Sequence, residues 1–356
     1  MAFDAERGGL QQHMAIETWL NRHPEAPEAE RVMLAQRLCA GYGVLAEGAR
    51  WAAACGRLAT ITGASDDAAI ANAFRHEPKS TTTGSATVPI ARNTVGLLTV
   101  EVATGDATSS WIVDTGAELT TVPESTATKL SVRMVEGSAT IATSTPIQVA
   151  GRLGVIDTLS IGSARVRHVP VLVLPDAMLR LPDGSVMPGI LGLPVLAAFR
   201  QVAWLDRGST LCLGANACAP ATARVAKSFP MYWAGGSIGA PVTLGSVQRP
   251  AQLDTGSNAV ELSEAGFKEL GVSQVASASE RSGRLGGAGG ILHVKSLTLP
   301  TLDFELAGAP VRGTDVSVNR QRSGVGRIGG VVINQLDLLS LDFDRMIIAA
   351  VAALRE

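Results

Sequence analysis

Trp111-Ile112-Val113-Asp114-Thr115-Gly116 and, further along the chain, Ala251-Gln252-Leu253-Asp254-Thr255-Gly256 are the stretches on which the fold turns. Each sets an acidic residue at the end of a predicted buried strand, followed at once by Thr-Gly. A carboxylate there carries a large desolvation cost unless a partner offsets it. The glycine lets the backbone turn sharply after it. Two such carboxylates, 140 residues apart, point to one site in which each is the other's partner. Either aspartate alone reads equally well as a cap or a turn residue. Both in matching frames do not.

The frame extends beyond the triplets. Val294 to Leu299 matches Ile156 to Ile161, Ile328-Gly329-Gly330-Val331 matches Ile190-Leu191-Gly192-Leu193, and Phe343-Asp344-Arg345 matches Leu205-Asp206-Arg207. The offset of these three matches is 138, against 140 for the aspartates. A nearly constant offset predicts an internal duplication, with two similar β lobes facing each other across a cleft.

Around that repeat the chain divides as follows. Residues 1–77 read as a helical N-terminal domain. Glu28 to Leu38 follows Pro27, and Val32, Leu34, Ala35, Leu38 and Cys39 recur at helical spacing. Ala46 to Leu58 continues Ala-rich, and Asp66 to Phe74 follows Ser65 as an N-cap. The polar, turn-rich stretch 78–86 reads as a linker. Short strands with turns between them occupy 87–214, the first lobe. A second linker spans 215–230, and a second lobe 231–356. The expected fold is mainly β, two pseudo-symmetric lobes with an interlobe cleft, plus the N-terminal α-helical domain.

The chain has 356 residues, 46% hydrophobic and 17% charged, which suits a large core rather than a disordered chain. With a net charge of −2 and no long basic run, nucleic acid and anionic membranes are not expected partners. No run of eighteen apolar residues predicts a membrane span. The first residues lack the basic start and apolar run of a signal peptide. Cys39 and Cys55, and Cys212 and Cys218, form two local pairs. They read either as two disulfides, hence a periplasmic or secreted protein, or as four buried thiols in a cytoplasmic one. Neither pair has zinc-site spacing, and the five histidines are scattered without metal-binding spacing, so no metal or cofactor is expected.

The paired D-T-G triplets, each followed some 75 residues later by an apolar Gly-containing run, resemble the pepsin-like and retropepsin-like aspartic proteases. The resemblance spans about residues 87 to 350 and leaves out the N-terminal helices. It is closer to two fused retropepsin-type halves, as in bacterial single-chain proteins, than to a pepsin. Gly286-Gly287-Ala288-Gly289-Gly290-Ile291 resembles the Gly-rich flap tip of retroviral proteases, and Gly151 to Ile156, with Gly154, stands at the corresponding place of the first half. The flap tyrosine of pepsins is missing, since Tyr42 and Tyr232 occupy no flap position.

The resemblance implies that Asp114 and Asp254 are catalytic, sharing one proton because two carboxylates about 3 Å apart cannot both ionise. It assigns Thr115, Gly116, Thr255 and Gly256 to supporting the dyad, and Gly154, Gly287, Gly289, Gly290 and Ile291 to flap and substrate binding. Ser257, where the first half has Ala117, is expected to donate a hydroxyl to the adjacent aspartate and to set a mildly acidic optimum. The implied activity is endopeptidase action on an extended peptide or protein substrate, by a monomer. Two alternatives stand beside it: a catalytically silent peptide-binding scaffold, and a narrow processing peptidase whose partner docks on residues 1–77. Those residues contain no lysine of the kind that pepsin-type pro-segments place at the aspartates.

Gly324-Val325-Gly326-Arg327-Ile328-Gly329 fits a dinucleotide fingerprint in letters only, because it lies late in a β repeat. Gly235-Gly236-Ser237-Ile238-Gly239 fits a nucleophile elbow equally superficially, because a strand pattern follows it.

Overall fold

The structure is a computed structural model that describes residues 9–63, 66–105, 107–142, 148–181, 183–223, 225–234, 236–287, 290–319 and 324–354. It is mainly β, with two large sheets and N-terminal helices.

Among the described residues four helices come first: Gly9–Arg22, Glu28–Val44, Gly48–Thr62 and Asp66–Ala73. Glu28 and Glu30 sit in the first turn of the second helix, where carboxylates face the positive end of the helix dipole. Gly63, at φ +74, supplies the left-handed residue that closes the third. A Cys39–Cys55 disulfide ties these two helices together. Leu34, Leu38, Tyr42, Trp51 and Phe74 are buried, and so are Leu119, Leu153, Val155, Leu172 and Leu174 of the β region, within one continuous apolar cluster. The helices therefore share a core with the first lobe. Among the described residues no helix is long and apolar enough to cross a membrane.

The first lobe is a 9-stranded sheet and the second an 8-stranded one. In each, a short strand is inserted between two others. Ile190–Leu191 runs parallel to Ala107–Val113 and antiparallel to Thr120–Pro123. Gly326–Gly329 runs parallel to Val247–Asp254 and antiparallel to Val260–Leu262. This insertion pins the C-terminal end of each aspartate-bearing strand between two neighbours. Trp111, on the first of these strands, is fully buried, its indole N–H donating to Ser109 Oγ at 2.9 Å.

A third, 6-stranded sheet joins the lobes: Gln201–Leu205 pairs antiparallel with Leu336–Asp342. The stretch 78–86, expected as a linker, contributes Thr81–Thr83 to the first-lobe sheet and the start of Ala86–Pro89 to the joining sheet. The stretch 215–230 carries the helix Ala215–Thr222, fastened to the strand Thr210–Leu213 by a Cys212–Cys218 disulfide. Polar, small and Pro-containing composition hid both elements. Ser65, the expected N-cap, lies outside the described residues.

The register corrects the repeat frame in two places. Ile190 stands opposite Ile112, and Arg327 opposite Gln252. The residue in the second lobe that takes the place of Ile190 is therefore Arg327, not Ile328. Likewise the hairpin that closes at Ile161–Ala164 has its counterpart closing at Leu306–Ala309, so Leu306 rather than Leu299 takes the place of Ile161.

Candidate active site

Asp114 and Asp254 each stand at the end of the longer strand of this three-strand arrangement. The Asp114 N–H donates to Leu191 O at 3.0 Å, and Asp254 lies opposite Gly329. The two loops meet through a reciprocal set of buried hydrogen bonds. The Thr115 hydroxyl donates to Leu253 O at 2.8 Å and accepts the Thr255 N–H at 3.0 Å. The Thr255 hydroxyl donates to Val113 O at 2.7 Å and accepts the Thr115 N–H at 3.0 Å. Each threonine thus fastens its loop to the strand that carries the opposite aspartate.

The glycines explain the closeness of approach. A β-carbon on Gly116 would fall 2.6 Å from Asp254 Cγ, and one on Gly256 2.2 Å from Asp114 Cγ. Only glycine leaves each carboxyl its space against the opposite loop. The Gly116 N–H donates to Asp114 Oδ1 at 2.7 Å, and the two carboxyls hydrogen-bond to each other. Burial first, then the charge of Asp254, pushes the Asp114 carboxyl up to about 8; the Gly116 N–H and the charge of Arg327 pull the other way. At neutral pH Asp114 therefore keeps its proton. A buried carboxyl raised in this way, beside a second carboxyl, is the kind of group that can give a proton to a carbonyl oxygen.

Residues 98–195 match the model of a family described as aspartyl protease. No curated protein matches the chain. The crystal structure of basic 7S globulin from soybean superposes with a TM-score of 0.52 at 12% identity, covering 76% of this chain and 95% of that one, which is a likeness of fold. The family match thus lies within the first lobe, and the structural likeness shows the two-lobed, pepsin-like fold.

One neighbour of the dyad stands out. Arg327 Nη1 donates to Asp254 Oδ2 at 2.9 Å, and Arg327 Nη2 to Glu261 Oε1 at 2.7 Å. All three residues are buried. Ser257, expected to supply a hydroxyl to the aspartate, instead accepts the Ala259 N–H at 3.2 Å. The charged donor to Asp254 is the arginine. Sequence reading missed it because Arg327 fell inside a glycine-rich motif, and the one-residue slip in the repeat frame set Ile328 against Ile190. An arginine at the head of an otherwise apolar run was the available signal.

Two further contacts cross between the lobes beside the dyad. The Glu118 carboxyl accepts the Gly236 N–H, and the Asn258 side chain donates to Val95 O. Desolvation and then the negative charge of Asp67, on the last N-terminal helix, push Glu118 above its ordinary range.

The flap expectations divide. Gly287 and Gly290 are opposite each other at the end of the hairpin Ser279–Gly287 and Gly290–Leu306, with Gly290 at φ +114. Gly289 and the Ile291 side chain lie outside the described residues. Gly154 is not at a hairpin tip. It sits buried within the strand Gln148–Ile161, paired with Met134 and Val171, and a β-carbon there would meet Val132 Cγ1 at 2.6 Å. Its glycine serves close packing; in the hairpin of Arg133–Ala142 and Gln148–Ile161 the last described pair is Ala142 with Gln148, six residues before Gly154. Among the described residues no three His, Cys, Asp or Glu side chains gather as a metal site.

Proposed function

We propose that the chain is an aspartic endopeptidase. The observation that carries this reading is the hydrogen-bonded Asp114–Asp254 pair, with Asp114 protonated at neutral pH, held by reciprocal threonine bonds. In the reaction, Asp254 takes a proton from a water while Asp114 gives its proton to the carbonyl oxygen of the scissile peptide. The water oxygen bonds to the carbonyl carbon, giving a neutral gem-diol. Proton return from Asp254 to the departing nitrogen and from the diol to Asp114 breaks the C–N bond and restores the pair. An extended peptide along the cleft would add its backbone to the cleft edges as a strand. Both aspartates lie on one chain, so a monomer suffices. The core shared by the N-terminal helices and the first lobe supports a permanent part of the enzyme, on which a protein partner would dock. The two disulfides support an oxidising compartment, the periplasm or the exterior.

Cleavage of a peptide library read by mass spectrometry tests the reading. The wild type should cut, and Asp114→Asn and Asp254→Asn should not. The silent-scaffold reading draws its own support from Arg327, which occupies Asp254 Oδ2. Tight binding of a statine-type inhibitor with no turnover of any peptide by the wild type would favour it.

A further inference from the structure

In the first lobe the inserted strand places Ile190 opposite Ile112 on one side and Thr121 on the other. In the second lobe the same places are taken by Arg327, opposite Gln252 and Glu261. An apolar residue and a hydroxyl have given way to a buried ion pair directly behind one aspartate. Burying a guanidinium carries a desolvation cost that an isoleucine does not, so packing alone does not account for it. The contacts of Arg327 say what does. Its two Nη atoms go to carboxylates, while its buried Nε has no hydrogen-bond partner among the described residues. The guanidinium is held by charge.

Resting on the peptidase reading above, we propose that Arg327 is a positioning residue of the dyad: it holds Asp254 as the charged partner and leaves the shared proton on Asp114, and Glu261 orients the guanidinium. The two lobes are therefore unequal by construction. A symmetric pair has no fixed acid and no fixed base. Here a guanidinium meets one carboxyl of the pair, that of Asp254. The carboxyls that meet the guanidinium or its field are Asp254, at the end of the parallel neighbouring strand; Glu261, on the antiparallel neighbour; and Asp114, across the lobe interface. The field of Arg327 favours the ionised form of the pair.

The test transplants the first-lobe residues into the second: Arg327→Ile with Glu261→Thr, which removes both charges and leaves neither buried alone. The readout is an infrared titration of the Asp114 carboxylic-acid band, identified by its loss in Asp114→Asn made in the same background. It needs no substrate, so its result is independent of the cleavage test. The expected result is a titration moved upward by about 1–3 pH units, the size of an arginine's effect on an adjacent aspartate. The alkaline limb of kcat/KM on any cleaved peptide should move with it. Arg327→Lys keeps the charge and should titrate like the wild type. Arg327→Gln keeps hydrogen-bond donors without the charge, and serves in place of the double variant should that fail to fold. A charge-free variant whose titration superimposes on the wild type overturns the proposal. So does an Arg327→Lys variant displaced as far as the charge-free one, because geometry rather than charge would then be responsible.

Discussion

Thr115 and Thr255 hold each other's loops: each accepts the other's N–H at 3.0 Å and sends its hydroxyl to the strand that carries the opposite aspartate. Both are buried, so no water stands ready to replace a lost partner. Thr255→Val keeps the shape and removes the hydroxyl. It leaves the Thr115 N–H and Val113 O unsatisfied, at a cost of about 1–3 kcal/mol for each buried group. The expected outcome is a lower midpoint in urea unfolding, together with a fall in peptide cleavage as the two carboxyls lose registration.

Gly256→Ala should disable the site while sparing the fold. A β-carbon 2.2 Å from Asp114 Cγ must displace the carboxyl. Misplacement of a reacting group by about 1 Å costs roughly 10²-fold in rate. Cleavage should fall by about that factor or more, with circular dichroism like that of the wild type. Retention of full kcat/KM would show that the Asp114 carboxyl tolerates displacement.

The protonation of Asp114 predicts a pH dependence of stability with a definite sign. Its carboxyl is raised from an ordinary 3.8 to about 8 in the folded state. Between those values the folded chain holds a proton that the unfolded chain has released, so this group's contribution to stability falls as pH rises through the window. Asp114→Asn should flatten that part of the stability–pH curve. In activity, the same proton should be lost near about 8, producing the alkaline limb of the profile. Denaturant unfolding at a series of pH values, wild type against Asp114→Asn, checks the first. A pH series of kcat/KM checks the second.

His13 predicts an opposite trend on the acid side. On the helix Gly9–Arg22 it is buried between Tyr42 and Trp233, at ring-centroid distances of 5.2 and 6.1 Å, with no hydrogen-bond partner for either ring nitrogen among the described residues. Burial pushes it down from 6.5 to about 4. Below the ordinary value the unfolded chain takes up a proton that the folded chain refuses. Stability should therefore decline as pH falls from about 6.5 to about 4. His13→Leu should remove that decline. Unfolding midpoints of the two proteins, followed by tryptophan fluorescence across this range, should diverge as the solution is acidified.

Much of the site was readable in one dimension. Asp-Thr-Gly at the end of an apolar run states local chemistry: a strand to bury, a carboxylate to balance, a glycine to turn. The N-terminal helices also followed from local periodicity and from Pro27 ahead of Glu28. Gly154 was misread because glycine within a strand and glycine at a hairpin tip look alike in sequence; the difference is which side chains press against it, here Val132. Ser257 was misread because its rotamer answers to the Ala259 N–H, a contact within its own loop.

The sequence by itself determined the two lobes, the paired aspartates and the threonines beside them, because each rests on residue type and short-range pattern. Tertiary structure alone decided that Arg327 stands behind Asp254 and that Glu261 steers it. That placement depends on which strand is inserted between which, and a slip of one residue along that strand reverses the face to which a side chain points.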